Sequence, residues 1–495
     1  RDGANYFVLG EAADGGAGVV GFVRQDVLRR VEEHQLRNLR LKEFPDDDRR
    51  FGIRAVDPAT GRERDVDSPE ENRGISHYVK REVVVRFPSV PPEREIARMA
   101  EETDAEAVNR LGDVFVFKSR SKSTRELMEY FERRGAVYAE PHYIYVTNGA
   151  PAAAEAEGGG AADGGIVPND ELYGLYQWNL PAISVPDGWK LSRGAESVVV
   201  AVVDTGVDLS HPDLAGHLTE GYNALDPDAP PEDDVGHGTH VAGIVAAVTD
   251  NGEGVAGMTW YNRIMPVKVL DDTGMGSTYS VAKGIIWAVD HGAKVINLSL
   301  GNYAGAEFLH DAIRYAYEKD AVLIAATGND HTDAPGYPAA YPEVFAVSAT
   351  DLRGGLASFS NYGDYVDAVA PGERIASTFF GGQYAAMSGT SMASPHAAAL
   401  AALIRSVNPA LTNEEVYDIM RRSAVDLGAP GRDAEFGYGR IDADRALRLA
   451  TGAAPQEAAG GTGSAVSAEP GGRLLQQLQR LLEALLRPIA AGPAE

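Results

Sequence analysis

The sequence predicts an α/β chain: a domain built on a mainly parallel sheet, preceded by a small α+β unit. Three observations carry this. Four continuous apolar runs, "SVVVAVV" (197–203), "RIMPVKVL" (263–270), "AKVINLSL" (293–300) and "AVLIAAT" (321–327), are separated by helical patterns at 237–248, 279–290 and 306–319. Strands apolar at every position are covered on both faces, as in parallel sheets flanked by helices. Upstream, shorter strands and helices alternate, and two Ala/Gly-rich stretches divide the chain.

Residues 1–76 read as an extension of unknown role, with a helix expected over "QDVLRRVEEHQLRNLRL" (25–41). Residues 77–149 form the α+β unit. "EVVVRF", "GDVFVFKS" and "VYAEPHYIYV" are its strands, "PPEREIARMAEET" a helix opened by proline, and "STRELMEYFERRGA" a helix with a Ser-Thr start and a Gly stop. Residues 150–166, almost wholly Ala, Gly and acid, bury nothing and read as a flexible linker. The main domain runs from 167 to 451, and 452–472 is a second linker. In 473–490, Leu474, Leu478, Leu481 and Leu485 stand at heptad spacing. This amphipathic helix is expected to dock on a domain, self-associate or meet a partner surface.

A length of 495 residues suggests two or three domains. The formal charge of −27, from 72 acidic against 45 basic residues, argues against nucleic acid or an anionic membrane as partner. There is no cysteine, so disulfides, thiolate zinc sites and cysteine nucleophiles are excluded. No apolar run reaches the length of a bilayer span, and a soluble protein is expected. Secretion is expected too: lack of disulfides does not exclude it, and a chain starting at Arg1 fits a leader already removed.

The chemistry-bearing residues fall at strand ends and helix starts, where ligands sit in such sheets. Asp204 ends the first apolar run, as a turn or cap residue or as a buried acid in need of a partner. His237 opens a helix between two glycines, and His240 follows one turn later. That spacing lacks the interposed Glu of a zinc peptidase, so His237 reads as a general base and His240 as a core histidine. Asn329 follows Gly328 at a strand end, a turn residue or an amide able to face an oxyanion. Ser299-Leu300-Gly301 leave another strand, with an edge to which an extended peptide can pair. Thr390 and Ser391 crowd a helix start, either as caps or with Ser391 as a nucleophile beside free N–H donors. A carboxylate, an imidazole, an amide and a hydroxyl make the set that acyl transfer requires.

The motifs "VVDTGVDLSHPDL", "GHGTHVAGIVAA", "INLSLG", "AATGN" and "SGTSMASPHAAA", with "GYGRIDADRAL" near the end, resemble those of subtilisin-like serine proteases, in the order Asp, His, Ser over about residues 167–450. The resemblance implies a three-layer α/β peptidase domain. It makes Ser391 the nucleophile, His237 the base, Asp204 its orienting acid and Asn329 an oxyanion donor beside the Ser391 N–H. Ser299, Leu300 and Gly301 then bind an extended substrate, and Gly336 floors a pocket for a large apolar residue before the scissile bond, with Asp330 tolerating some basic ones. A structural calcium ion is implied, held by Asp170, Asp213, the side chain of Asn251 (or Asp250 in its place) and the carbonyls of Val248, Glu253 and Val255. The α+β unit resembles the family's propeptide, an inhibitor and chaperone. Self-cleavage is then expected between about Thr147 and Val167, and the 495-residue chain is a zymogen. Protein and peptide substrates and the chain's own propeptide are the implied partners. A catalytically silent peptide-binding protein is the other reading, against which no triad member is lost.

Overall fold

The computed structural model describes residues 6–12, 18–24, 53–57, 62–64, 76–147, 150–151 and 165–452. All lie in the first of two compact units, Arg1–Ala453 and Ala454–Glu495. The helices expected at 25–41 and 473–490 and the linker at 452–472, apart from its first residue, fall outside them.

Seven strands make the central sheet, in the order Tyr222–Asn223, Arg263–Lys268, Val199–Asp204, Val295–Leu298, Val322–Ala326, Phe345–Thr350 and Ala368–Pro371. Every neighbouring pair is parallel. The four apolar runs occupy its middle, where helices cover both faces. Val200 and Val202 point into one core with helices His237–Ala246 and Thr390–Val407. Ala201 and Val203 point into the other with Thr278–Asp290 and Glu307–Glu318. These are the three layers. From Val199–Asp204 the chain goes out to the edge at Tyr222–Asn223, returns to Arg263–Lys268 and then crosses to Val295–Leu298. The order therefore reverses between the strands that end at Asp204 and just before Ser299, where a crevice opens at the carboxyl edge. Strands Phe345–Thr350 and Ala368–Pro371 were not expected from sequence. Serine and threonine interrupt the first, and the second is only four residues long.

In the α+β unit, strand Ser76–Arg86 pairs antiparallel with Val114–Ser119 and with Tyr138–Thr147. Val83 and Val85 face helices Glu93–Glu102 and Thr124–Glu132 in a small core with Phe117 and Phe131, whereas Val84 faces the main domain. Double coverage again explains a continuous apolar run. The second helix carries a capping box, with Ser123 and Glu126 each accepting the other's backbone N–H. The sheet also extends into residues 1–76: Ile53–Asp57 pairs with Ser76–Arg86, and Arg62–Arg64 pairs with Ile53–Asp57. Those two strands are short and charged, which hid them in the sequence. Tyr6–Ala12 and Gly18–Arg24 form a separate antiparallel hairpin.

Candidate active site

The helix Thr390–Val407 takes Gly389 as its N-cap, so neither Thr390 nor Ser391 caps it. Both hydroxyls are committed elsewhere. The Ser391 Oγ–H donates to the Ser299 carbonyl at 2.9 Å. Thr390 donates its N–H (2.9 Å) and its Oγ–H (3.0 Å) to Asn329 Oδ1. With both donors on the amide oxygen, the NH2 group is the end of Asn329 left to donate. The Ser391 backbone is pinned from beneath: its carbonyl accepts from Ser299 Oγ at 2.9 Å, Ser299 Oγ accepts from Asn297 Nδ2 at 2.9 Å, and Ser394 Oγ donates to Asn297 Oδ1 at 2.6 Å. All four residues of this network are fully buried, so each polar atom requires its partner.

Asp204 and His237 meet across the first helix face. Asp204 Oδ1 accepts from His237 Nδ1 at 2.7 Å and from the Thr205 N–H at 2.7 Å. A buried acid oxygen accepting at this distance fixes the imidazole as the Nδ1–H tautomer, with Nε2 as the basic nitrogen. Among the described residues Nε2 has no hydrogen-bond partner, and neither has Asp204 Oδ2. The contact needs the helix start to press on the strand end, and Gly238 permits it: a Cβ there would lie 2.0 Å from the Gly206 carbonyl oxygen. Asp233 ties the two segments together, accepting at Oδ1 from Thr205 Oγ (2.9 Å) and the Gly236 N–H (2.9 Å), and at Oδ2 from Thr239 Oγ (2.6 Å). His240 is held in the core. Its Nε2 donates to the carbonyls of Ile375 (2.9 Å) and Ala385 (3.1 Å), and burial, with His237 close by, drives its pKa down to about 3.

A recess open to solvent is lined by Gly301, Tyr303, Thr327, Gly328, Asp330 and Gly336 among others. Gly336 is required: a Cβ would meet the Thr327 carbonyl oxygen at 2.5 Å. Asp330 is engaged by the Tyr303 hydroxyl.

Strand Tyr138–Thr147 runs through the cleft. It pairs antiparallel with Leu300–Gly301 on one side (Leu300 opposite Thr147, Gly301 opposite Val146) and with Met275–Ser277 on the other. Past it, Ala150–Pro151 pairs with Ser388 and Met387, just ahead of Ser391. Glu140 grips the main domain as well, accepting from the N–H groups of Glu307 (2.8 Å) and Phe308 (3.1 Å) at a helix start. Burial pushes its carboxyl up to about 7 despite those bonds.

Away from the cleft, Asp170, Asp213 and the loop 248–255 converge. Asp213, fully buried, accepts from Asn251 Nδ2 at 2.7 Å and from the Val255 N–H at 3.1 Å. Asp170 Oδ2 accepts from the Asp250 N–H at 2.8 Å, while its Oδ1 is buried with no partner among the described residues. Burial, and after it the charge of Asp170, pushes the Asp213 carboxyl up to about 6. The Asp250 side chain turns away to the Asn169 N–H (3.1 Å), so Asn251 is the side chain that reaches Asp213. Two buried carboxylates, one of them with an orphaned oxygen, suit a hard cation, which would take the Asn251 amide by its oxygen in place of the NH2 now turned to Asp213.

Sequence reasoning singled out each of these site residues except those that support them. Asp233, Asn297, Ser394 and Glu140 act through tertiary contacts, with only the "DD" ahead of "VGHGTH" as a local hint, and Thr390, singled out as a cap, instead holds Asn329.

An acid-oriented imidazole and a serine at a helix N-terminus, at the reversal point of a parallel sheet, define a serine peptidase. The subtilase family model matches residues 195–439. A thermophilic serine proteinase of Bacillus sp. (strain AK1) is 39% identical over 391 residues, covering 77% of this chain and 92% of that protein. Thermitase of Thermoactinomyces vulgaris is 42% identical over 57% of this chain and 99% of its own length. Among solved structures, fervidolysin of Fervidobacterium pennivorans, described as a keratinolytic enzyme related to subtilisin, superposes with a TM-score of 0.67 at 29% identity. That match covers 75% of this chain and 61% of fervidolysin. The chain belongs to the subtilase family and is a subtilisin-like serine protease.

Proposed function

We propose that the chain is the zymogen of a secreted serine endopeptidase whose own α+β unit blocks the cleft until it is cut. Ser391 Oγ attacks the substrate carbonyl while His237 Nε2 takes its proton, and Asp204 stabilises the imidazolium. The oxyanion is met by the Asn329 NH2 group and the Ser391 N–H. His237 then returns the proton to the leaving amine, and water repeats the sequence on the acyl-enzyme. The 2.7 Å Asp204–His237 bond, buried and tautomer-fixing, carries this reading.

Substrate binds extended against Ser299-Leu300-Gly301, and large apolar residues before the scissile bond enter the recess above Gly336. The pairing of Thr147 with Leu300 and of Ala150 with Ser388 supports a self-cleavage point between Thr147 and Ala150. This is the early edge of the stretch expected from sequence. Calcium would be held by Asp170, Asp213 and Asn251, with the carbonyls of Val248, Glu253 and Val255; it supplies charge that lets both carboxylates stay ionised, and it takes no part in the reaction. The leucine-rich segment 473–490 is proposed to dock on a folded surface.

The test is labelling with a serine-directed phosphonate, followed by mass spectrometry. The label is expected on Ser391 and the new N-terminus within 148–150. A Ser391→Ala chain that still matured unaided, or cleavage of a peptide library only after Gly or Ala, would refute the respective parts.

A further inference from the structure

The loop just after Asp204, "DLSHPD", carries Asp213 of the candidate cation site, and two of its other side chains make a separate set of contacts. They grip the hairpin formed by Ile375–Phe379 and Gln383–Ser388. Asp208, 3% exposed, accepts at Oδ2 from the N–H groups of Gly381 (2.9 Å) and Gly382 (3.0 Å), which form the hairpin's turn. Its Oδ1 accepts from Ser210 N–H (3.0 Å) and Oγ–H (2.8 Å). Burial works to raise this carboxyl, but the bonds from Ser210 and the two glycines outweigh it and hold it below the usual range. His211, fully buried, donates from Nε2 to the Gln383 carbonyl at 2.8 Å and accepts the Asp213 N–H at Nδ1 (3.1 Å). Asp208 is in turn fixed to the helix of His237, its own N–H donating to Thr239 Oγ at 2.9 Å.

The hairpin matters because of what pairs with it. Its second strand leads into Ser391, and Met387 and Ser388 pair with Pro151 and Ala150, just beyond Val146 and Thr147, which pair with Gly301 and Leu300. A two-stranded hairpin closed by two glycines is weakly ordered by itself. An added strand binds well only to an edge that is already fixed. We infer that Asp208 and His211 are positioning residues for the part of a substrate that follows the scissile bond. They hold the hairpin edge in register with the segment that carries Asp204 and His237. This rests on the peptidase reading but adds a selectivity to it: loss of the grip should weaken use of leaving-group residues more than it weakens acylation by a substrate that has none.

The test compares two substrates of the matured protein: a tetrapeptide p-nitroanilide, and an internally quenched peptide with the same four residues followed by Gly-Ala-Pro. Asp208→Ala is expected to lower the ratio of kcat/KM for the long peptide to that for the anilide about tenfold, the scale of losing one hydrogen bond to a charged group. His211→Ala is expected to lower it less, and Asp208→Asn, which keeps an acceptor oxygen, to restore part of it. A second readout is the partition of the acyl-enzyme between water and Gly-Ala-amide. This ratio depends only on active molecules and so survives poor folding. It should fall in parallel. An unchanged ratio in both assays, whether or not the absolute rates drop, overturns the inference and leaves a structural brace. A wild-type protein that cleaves neither substrate would overturn the peptidase reading instead.

Discussion

Chelation of calcium should destabilise this protein more at pH 7 than at pH 5. Without a cation, Asp213 is buried beside Asp170, and its carboxyl is pushed from the ordinary 3.8 up to about 6. In the unfolded chain it returns to the ordinary value. A raised carboxyl contributes stability that is complete below 3.8 and is lost as pH rises through 6. The full interval is 6 − 3.8, about 2.2 pH units or about 3 kcal/mol at ~1.36 kcal/mol each, of which the part above pH 5 is 6 − 5, about 1 unit or about 1.4 kcal/mol. For a domain of this size that difference between pH 5 and 7 corresponds to roughly 3–6 °C in Tm. A bound cation supplies the missing positive charge, so the loss should vanish when calcium is present. The assay is thermal unfolding of the Ser391→Ala chain, which cannot digest itself, at about pH 5 and 7 with calcium or with chelator. The difference between the two conditions should widen with pH, and Asp213→Asn should remove both the calcium response and the slope. A chelator effect of equal size at both pH values, or an Asp213→Asn chain that still responds to calcium, would refute the reasoning.

Two further outcomes are expected. Asn329→Leu keeps the shape but removes the amide donor, and kcat should fall with little change in KM, by about 2.7–4 kcal/mol of transition-state stabilisation; that magnitude is the one known for the corresponding donor in subtilisin, not one worked from this structure. Glu140 sits in the contact with its carboxyl raised to about 7 by burial and by the nearby charges of Glu307 and Asp311, so the contact is strongest while it is protonated. Release of the cut α+β unit should therefore speed up as pH rises from about 5 to 8, and Glu140→Gln should flatten that dependence, read as the lag before peptidase activity appears.

The four continuous apolar strands and the helices between them were legible because their burial on both faces leaves no polar position to blur the pattern. Glu82–Phe87 was legible for the same reason, since Val84 faces the main domain and Val83 and Val85 their own helices. Ile53–Asp57 and Arg62–Arg64 were not, because they are short and their charged residues leave no sustained apolar alternation. Ser391 itself stayed open between a cap and a nucleophile until its motif was set beside a family. A helix start looks the same either way, and only the placing of Gly389 at the cap and of the hydroxyl on Ser299 separates them.

The sequence by itself determined the class of chemistry and its carriers: an acid at a strand end, a histidine between glycines, an amide and a hydroxyl, in that order along the chain. Local spacing can specify such elements because each depends on its own turn or strand. Tertiary structure alone decided which oxygen faces which nitrogen. It turned Asn251 rather than Asp250 toward Asp213, put Glu140 on a helix start 167 residues away, and set Asp208 against a hairpin turn 173 residues further on. Contacts between segments that far apart leave no periodicity in either one, since what selects them is the closure of the fold around buried polar atoms that must each find a partner.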